Sequence, residues 1–150
     1  MPGPEAVAVL PALRVVADPA VLDGALVRAL GPRLADLGAR VLRLAPDDLL
    51  VLTPGQRHPV LDALHEEIAG VDQHAIVTTE AGFAGAWFSA DHVRRWVAGN
   101  ADWLLPDGDG FHQGQVAGLP AKILVDGQEA LVAVPTPMAR ELAERLEWPA

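Results

Sequence analysis

Residues 120–134 read PAKILVDGQEALVAV. Two apolar, β-rich runs, PAKILV and EALVAV, flank Asp126-Gly127 with Gln128. An Asp-Gly step between such runs supplies the positive-φ positions of a tight hairpin turn. Strands joined in this way run antiparallel, which argues against the single strands alternating with helices that build a parallel sheet. Just downstream, Thr136 is placed to cap a helix with Pro137 at its first position. Met138, Leu142 and Leu146 then recur at four-residue spacing, with Glu141, Glu144 and Arg145 facing outward. Residues 119–147 are thus predicted to run strand, strand, capped helix.

The same order occurs twice upstream. Over residues 39–69, ARVLRLAP and DLLVLTP surround Pro46-Asp47 and lead into PVLDALHEEIAG, whose Val60, Leu61, Leu64 and Ile68 make one helical face ending at Gly70. Over residues 74–98, HAIVTTE and FAGAWFS lead into a helix capped by Ser89, lined on one side by Val93, Trp96 and Val97 and ended by Gly99-Asn100. Ahead of these repeats, the apolar run 6–17 is broken by Pro11, which suits an edge strand or two short strands. Asp18 then caps a helix with Pro19 in its first turn, and Val21, Leu22, Ala25, Leu26, Ala29 and Leu30 keep helical spacing until Gly31-Pro32 stops it. Amphipathic helices that follow antiparallel pairs need a sheet face to cover. The expected fold class is α+β, with antiparallel sheets and strand-strand-helix repeats in a single domain over residues 1–150.

Composition narrows the function classes. The net charge is −9 and Lys122 is the one lysine among eleven basic residues. Binding nucleic acid or an anionic membrane surface depends on clustered cations, so both are excluded as partners on charge. No apolar run approaches the roughly 18 residues of a membrane helix. The start, MPGPEAVAVLPALRVV, lacks the basic region of a secretory signal, and cytoplasmic residence is the expectation. With no cysteine, thiol catalysis and thiolate metal sites are excluded. Apolar residues reach 51%, an excess that has to be buried inside the molecule or against a partner protein.

Candidate chemical groups are few. Ser89, the one serine, sits directly before a helix as an N-cap. His65-Glu66 begins a zinc-protease pattern, but Ala69 stands where its second histidine would be. The remaining histidines, 58, 74, 92 and 112, are scattered, so no metal site is predicted. Asp47-Asp48 reads as a turn, Glu66-Glu67 as the polar flank of a helix, and Arg94-Arg95 as surface cations able in principle to clamp an anion. Trp87, Trp96 and Trp103 fall close enough to build one aromatic cluster, either core and interface anchors or a stacking site for a flat heterocycle. The glycine-rich stretch DGDGFHQGQVAG (107–118) leads into a strand and carries negative charge, whereas a phosphate loop feeds a helix N-terminus. It reads as a connection in which His112, with Asp109, is the one acid/base candidate.

Three long stretches carry a family resemblance: VLRLAPDDLLVLTPG (41–55), AIVTTEAGFAGAWFSADHVRRWVAGNADWLL (75–105) and GQVAGLPAKILVDGQEALVAVPTPMARELAERL (114–146). Their order and their pattern of small and apolar residues resemble the gamma subunit of heterotetrameric sarcosine oxidase. More distantly they are similar to the folate-binding, aminomethyltransferase-like fold of the glycine cleavage T-protein. The resemblance is strongest over residues 25–148. Ser89-Ala90-Asp91 stands where the family has Ser-Gly-Pro, and the FHQGQ loop is short.

The resemblance implies a non-catalytic accessory subunit of a folate- and flavin-linked complex that oxidises sarcosine or a related N-methyl amino acid. Such a chain has no catalytic residues and binds no cofactor of its own. FAD, FMN, NAD and tetrahydrofolate would lie on the larger flavoprotein subunits against which it packs. The alternative is a stand-alone folate-binding domain that stacks its ligand between the tryptophans, and a third reading is a small hydrolase or lyase using His112.

Overall fold

The computed structural model describes residues 6–148. In chain order the strands are β1 (Ala8–Val9), β2 (Ala12–Val16), β3 (Arg40–Ala45), β4 (Asp48–Leu52), β5 (Ile76–Glu80), β6 (Phe83–Ser89), β7 (Gly110–Val116), β8 (Leu119–Asp126) and β9 (Glu129–Pro135). The helices are α1 (Pro19–Arg28), α2 (Leu30–Asp36), α3 (Arg57–Leu64, continued by a π-helical turn His65–Ala69), α4 (Ala90–Asn100) and α5 (Ala139–Arg145). The fold is α+β with two antiparallel sheets. The chain divides into two compact units, Pro11–Glu80 and residues 6–10 with 81–148, each with its own apolar core.

In the Pro11–Glu80 unit the sheet order is β3-β4-β2-β5. Strand alternation turns Leu13 and Val15 of β2 and Leu49 and Val51 of β4 into one core, where Leu22, Leu30, Leu34, Val60, Leu64 and Ile68 of the helices meet them. Asp18 caps α1 as expected, its carboxylate accepting the Ala20 N–H at 2.8 Å. Gly31-Pro32 does not end the helical region. The chain breaks at Ala29 and restarts, placing Pro32 in the first turn of α2, where a missing N–H costs nothing. A Cβ at position 31 would lie 2.4 Å from the Leu26 carbonyl oxygen, so glycine is what lets α2 start there. Pro11 divides two short strands, as its position allows: β1 ends one sheet as an edge strand, while β2 is internal to the other, bonding β4 on one side and β5 on the other.

The centre of that sheet carries a charge. Arg14 alternates with Leu13 and Val15 onto the opposite sheet face, where its Nε and Nη2 donate to the two carboxylate oxygens of Asp48 at 2.8 and 2.6 Å. Its Nη1 donates to Glu80 at 2.9 Å. One guanidinium thereby ties β2 to both neighbouring strands. Asp48 is therefore not the solvated turn residue that Pro46-Asp47-Asp48 suggests; it begins β4, with its side chain 16% exposed. The hydrogen bonds to Asp48, and next to Glu80, hold the Arg14 proton more tightly than usual.

The other unit is a five-stranded sheet in the order β1-β6-β9-β8-β7. The β8-β9 hairpin forms as predicted, with Asp126 opposite Glu129 and Gly127 at φ 62°. Helices α4 and α5 cover one face: Val93, Trp96, Val97, Leu142 and Leu146 meet Ala86, Phe88, Ala121, Ile123, Val125 and Val132.

Three expectations change here. The predicted 74–98 repeat is not an antiparallel pair, because β5 pairs with β2 while β6 pairs with β1 and β9. The stretch 107–118 is not only a connection, since its Gly110–Val116 portion is strand β7, paired along its whole length with β8. Thr136 does not cap the last helix. Its hydroxyl donates to the Ala81 carbonyl at 2.6 Å, Thr136–Met138 forms a 3-10 turn, and α5 starts at Ala139.

The β6-β9 pairing leaves no room beside Gly85, where an added Cβ would lie 2.3 Å from the Val132 carbonyl oxygen. Gly85→Ala is expected to cost about 2 kcal/mol or more in urea unfolding. Gly99→Ala, in open space within α4, is expected to gain about 0.5 kcal/mol from helix propensity. A Gly85→Ala protein as stable as wild type would refute the close approach. Arg14→Met leaves two neighbouring carboxylates without their cation, and the expected loss is about 1–3 kcal/mol, between exposed and buried ion pairs. Asp48→Asn, which keeps the shape of the pair, is expected to lose less in the same measurement.

Candidate functional site

The three candidate tryptophans occupy different environments. Helix α4 begins where the Ser89 hydroxyl accepts the His92 N–H at 3.1 Å, which puts Val93, Trp96 and Val97 on its buried side. Trp96 is 1% exposed, and its indole N–H donates to the Arg145 carbonyl at 3.3 Å, satisfying an acceptor at the end of α5. Trp103, just past α4, lies over Gly114 of β7. A Cβ there would come within 2.6 Å of the indole, whose N–H donates to the Gln115 carbonyl at 3.0 Å. Both rings pack against one core. Trp87 alternates with Ala86 and Phe88 on β6, so it lies on the opposite face of that sheet.

One aromatic contact involves Trp148, a tryptophan outside the predicted cluster. Trp148 and Phe88 stack at 4.8 Å with planes tilted by 55°, and His92 lies 6.1 Å from Phe88. No helical spacing points to Trp148, because it stands two residues past Leu146 and beyond the end of α5.

His112 lies on β7 opposite Ile123, its ring beside Gly110. Asp109, the proposed acid/base companion of His112, accepts the Gly127 N–H at 2.8 Å and so braces the β8-β9 turn. Among the described residues, no group of three or more metal-ligating side chains comes together.

Each unit carries an open groove among its described residues. In the Pro11–Glu80 unit, a groove of about 370 Å³ runs between α2 and α3, lined by Arg33, Asp36, Leu37, Gln56, His58 and Asp62. Across this region, Arg33 pairs with Glu66 at 2.6 Å. In the other unit, a groove of about 330 Å³ lies at the start of α4, between Ser89, Asp91 and Arg94 and the hairpin residues Gly127 and Gln128. Arg94 faces Asp91 at 3.6 Å, and its Nε is buried without a hydrogen-bond partner. The second groove joins a guanidinium to a carboxylate, and its one hydroxyl already serves as the α4 cap. That arrangement suits holding a polar group better than attacking one.

No protein-family model and no curated protein sequence matches this chain. The chain is similar in structure to a chain of the heterotetrameric sarcosine oxidase from Corynebacterium sp. U-96, solved in complex with pyrrole 2-carboxylate. The TM-score is 0.63, with 15% identity, and the match covers 93% of this chain and 79% of that one. At this identity the likeness is one of fold. It spans nearly the whole chain, and the two shares make the matched chain only modestly longer than this one.

Proposed function

We propose that this chain is a small accessory subunit of a heteromeric sarcosine-oxidase-type complex. It would act by packing on a larger flavoprotein subunit, with no catalytic residue of its own. The observation that carries this reading is the fold likeness to a chain of a heterotetrameric sarcosine oxidase, over 93% of this chain and 79% of that one. The family resemblance of residues 41–55, 75–105 and 114–146 points to the gamma subunit and to an aminomethyltransferase-like fold. The site geometry is compatible with this role: the grooves hold ion pairs, and the one serine hydroxyl caps a helix. FAD, FMN, NAD and tetrahydrofolate belong, on this reading, to the partner subunits in the cytoplasm.

Stacking a folate between the tryptophans finds less support, because Trp96 is enclosed and Trp87 lies on the opposite sheet face from Trp96 and Trp103. Two experiments test the assignment. Co-expressed with sarcosine-oxidase-type flavoprotein subunits from the same genome, the tagged chain is expected to co-purify with a large flavin-containing subunit in fixed stoichiometry. Recovery of the chain alone, with the flavoprotein active and complete without it, would overturn the accessory role. The isolated chain titrated with tetrahydrofolate is expected to show no saturable quenching of tryptophan fluorescence at high micromolar ligand. Saturable quenching would instead favour the folate-binding reading.

A further inference from the structure

His92 is the one buried histidine among the described residues, 7% exposed in the first turn of α4. Its surroundings tie it to the end of the chain. Phe88, 6.1 Å away, stacks in turn on Trp148 at 4.8 Å. The backbone of Glu147 bonds the imidazole. Trp148 is itself held by its indole N–H, which donates to the Ala143 carbonyl at 2.9 Å, and Leu146 beside it is 2% exposed. Phe88 therefore lies between the imidazole and Trp148, and the segment 146–148 closes over Phe88 beside the imidazole.

The imidazole Nε2 is buried without a hydrogen-bond partner. A neutral ring tolerates this by leaving Nε2 as a bare acceptor. A protonated ring carries an N–H on both nitrogens, and burying a charged donor without an acceptor is far more costly. We propose that His92 is an acid-sensitive latch: the neutral ring lets the C-terminal segment 146–148 dock on Phe88 and α4, and protonation releases it while the sheet and α4 remain folded.

The charged groups facing the ring come from two elements and oppose each other. Arg95 of α4 disfavours the imidazolium, and Glu147 favours it through both its carboxylate and its backbone. Burial is the largest influence and sets the net direction, holding the docked ring below the ordinary value of 6.5. The sign follows from that direction. An undocked ring takes up its proton near 6.5 while the docked one resists it. Docking is therefore at full strength above 6.5 and weakens as the pH falls from there toward the docked value.

The test uses the full chain with 5-fluorotryptophan at its four tryptophans, followed by fluorine NMR from about pH 8 to about pH 5, the range over which a histidine changes charge. The Trp148 resonance is assigned by its loss in Trp148→Phe. It is expected to move toward the free-fluorotryptophan position with a midpoint below 6.5, while the Trp96 and Trp103 resonances and the far-UV circular dichroism stay constant. In His92→Gln the movement is expected to vanish. A Trp148 resonance that stays fixed, that moves only together with Trp96 and the dichroism, or that titrates alike in His92→Gln would overturn the latch. Should His92→Gln fail to fold, Glu147→Gln decides the matter. It removes the carboxylate that favours the charged ring, so the docked ring resists its proton more strongly and a larger fraction of the segment is expected to be released at the acid end of the range; an unchanged or smaller released fraction would overturn the proposal.

Discussion

The pairing of β6 with β9 is the constraint on which the larger sheet depends. It joins residues 83–89 to residues 129–135, with α4, β7 and β8 between them in sequence, and so closes a long loop. Such closure costs chain entropy that only the finished pairing repays. At Gly85 the ladder is close-packed against Val132 and Ala133, and even a methyl group there would collide with backbone. Around this pair the rest follows. β1 adds to the far side of β6, β8 and β7 extend the side of β9, and the alternation of the paired strands directs Ala86, Phe88, Val132 and Val134 toward α4 and α5. The Thr136 hydroxyl and N–H, bonded to Ala81 and Gly82, fasten the end of β9 beside the start of β6.

The Pro11–Glu80 unit solves the same problem with charge. Its central strand is short, and Arg14 in the middle of it reaches Asp48 and Glu80 on the strands to either side. An isolated guanidinium on a half-covered sheet face would be a liability. Here three of its nitrogens are satisfied by carboxylates in a planar, partly bidentate arrangement, the geometry in which arginine outperforms lysine. The net gain from such a pair is modest, because desolvation offsets most of the attraction. What the pair specifies strongly is register. A one-residue slip of β2 would turn Arg14 into the apolar core with Leu22 and Leu64 and would turn Leu13 or Val15 out.

These two arrangements separate what was legible in the sequence from what was not. Local rules were visible wherever one residue type has one job: Asp126-Gly127 for the hairpin, Asp18-Pro19 and Ser89 for helix starts, Gly70 for a helix end. Pairings between distant strands leave no local mark, which is why β5 and β6, adjacent in sequence and both β-rich, read as partners although each pairs elsewhere. Strand β7 was hidden for a related reason. Glycines at 110 and 114 remove the apolar alternation, and the second of them is small because Trp103 lies over it, a tertiary fact. Asp48 read as a turn residue because its partner is thirty-four positions away. At the candidate site, Ser89 as a cap was legible from position alone. The separation of Trp87 from Trp96 and Trp103 followed from the two-residue period of β6, a rule already available once the strand is accepted.

The apolar excess of the composition bears on the functional reading in a way that only the structure makes clear. Read from sequence, 51% hydrophobic content invites a large greasy face for a partner. The structure instead spends it on two cores in a short chain, built largely from valine, leucine and alanine. Among the described residues the large apolar side chains left exposed are Val9, Val27, Leu37, Val71, Ile76 and Leu104, spread over both units. Composition therefore gives no independent support for a partner, and the accessory-subunit reading stands on fold likeness and on the family resemblance. Interfaces that form between separately folded chains are about as polar as the rest of a protein surface, and their affinity comes from a few well-placed anchors. A fold can also keep its shape at 15% identity, because shape needs only alternation, caps and small residues at close approaches. Binding depends on particular side chains, so the fold can outlast any one surface. The accessory role is accordingly a question about which side chains this surface presents to a flavoprotein, and contact with that partner is the evidence that bears on it.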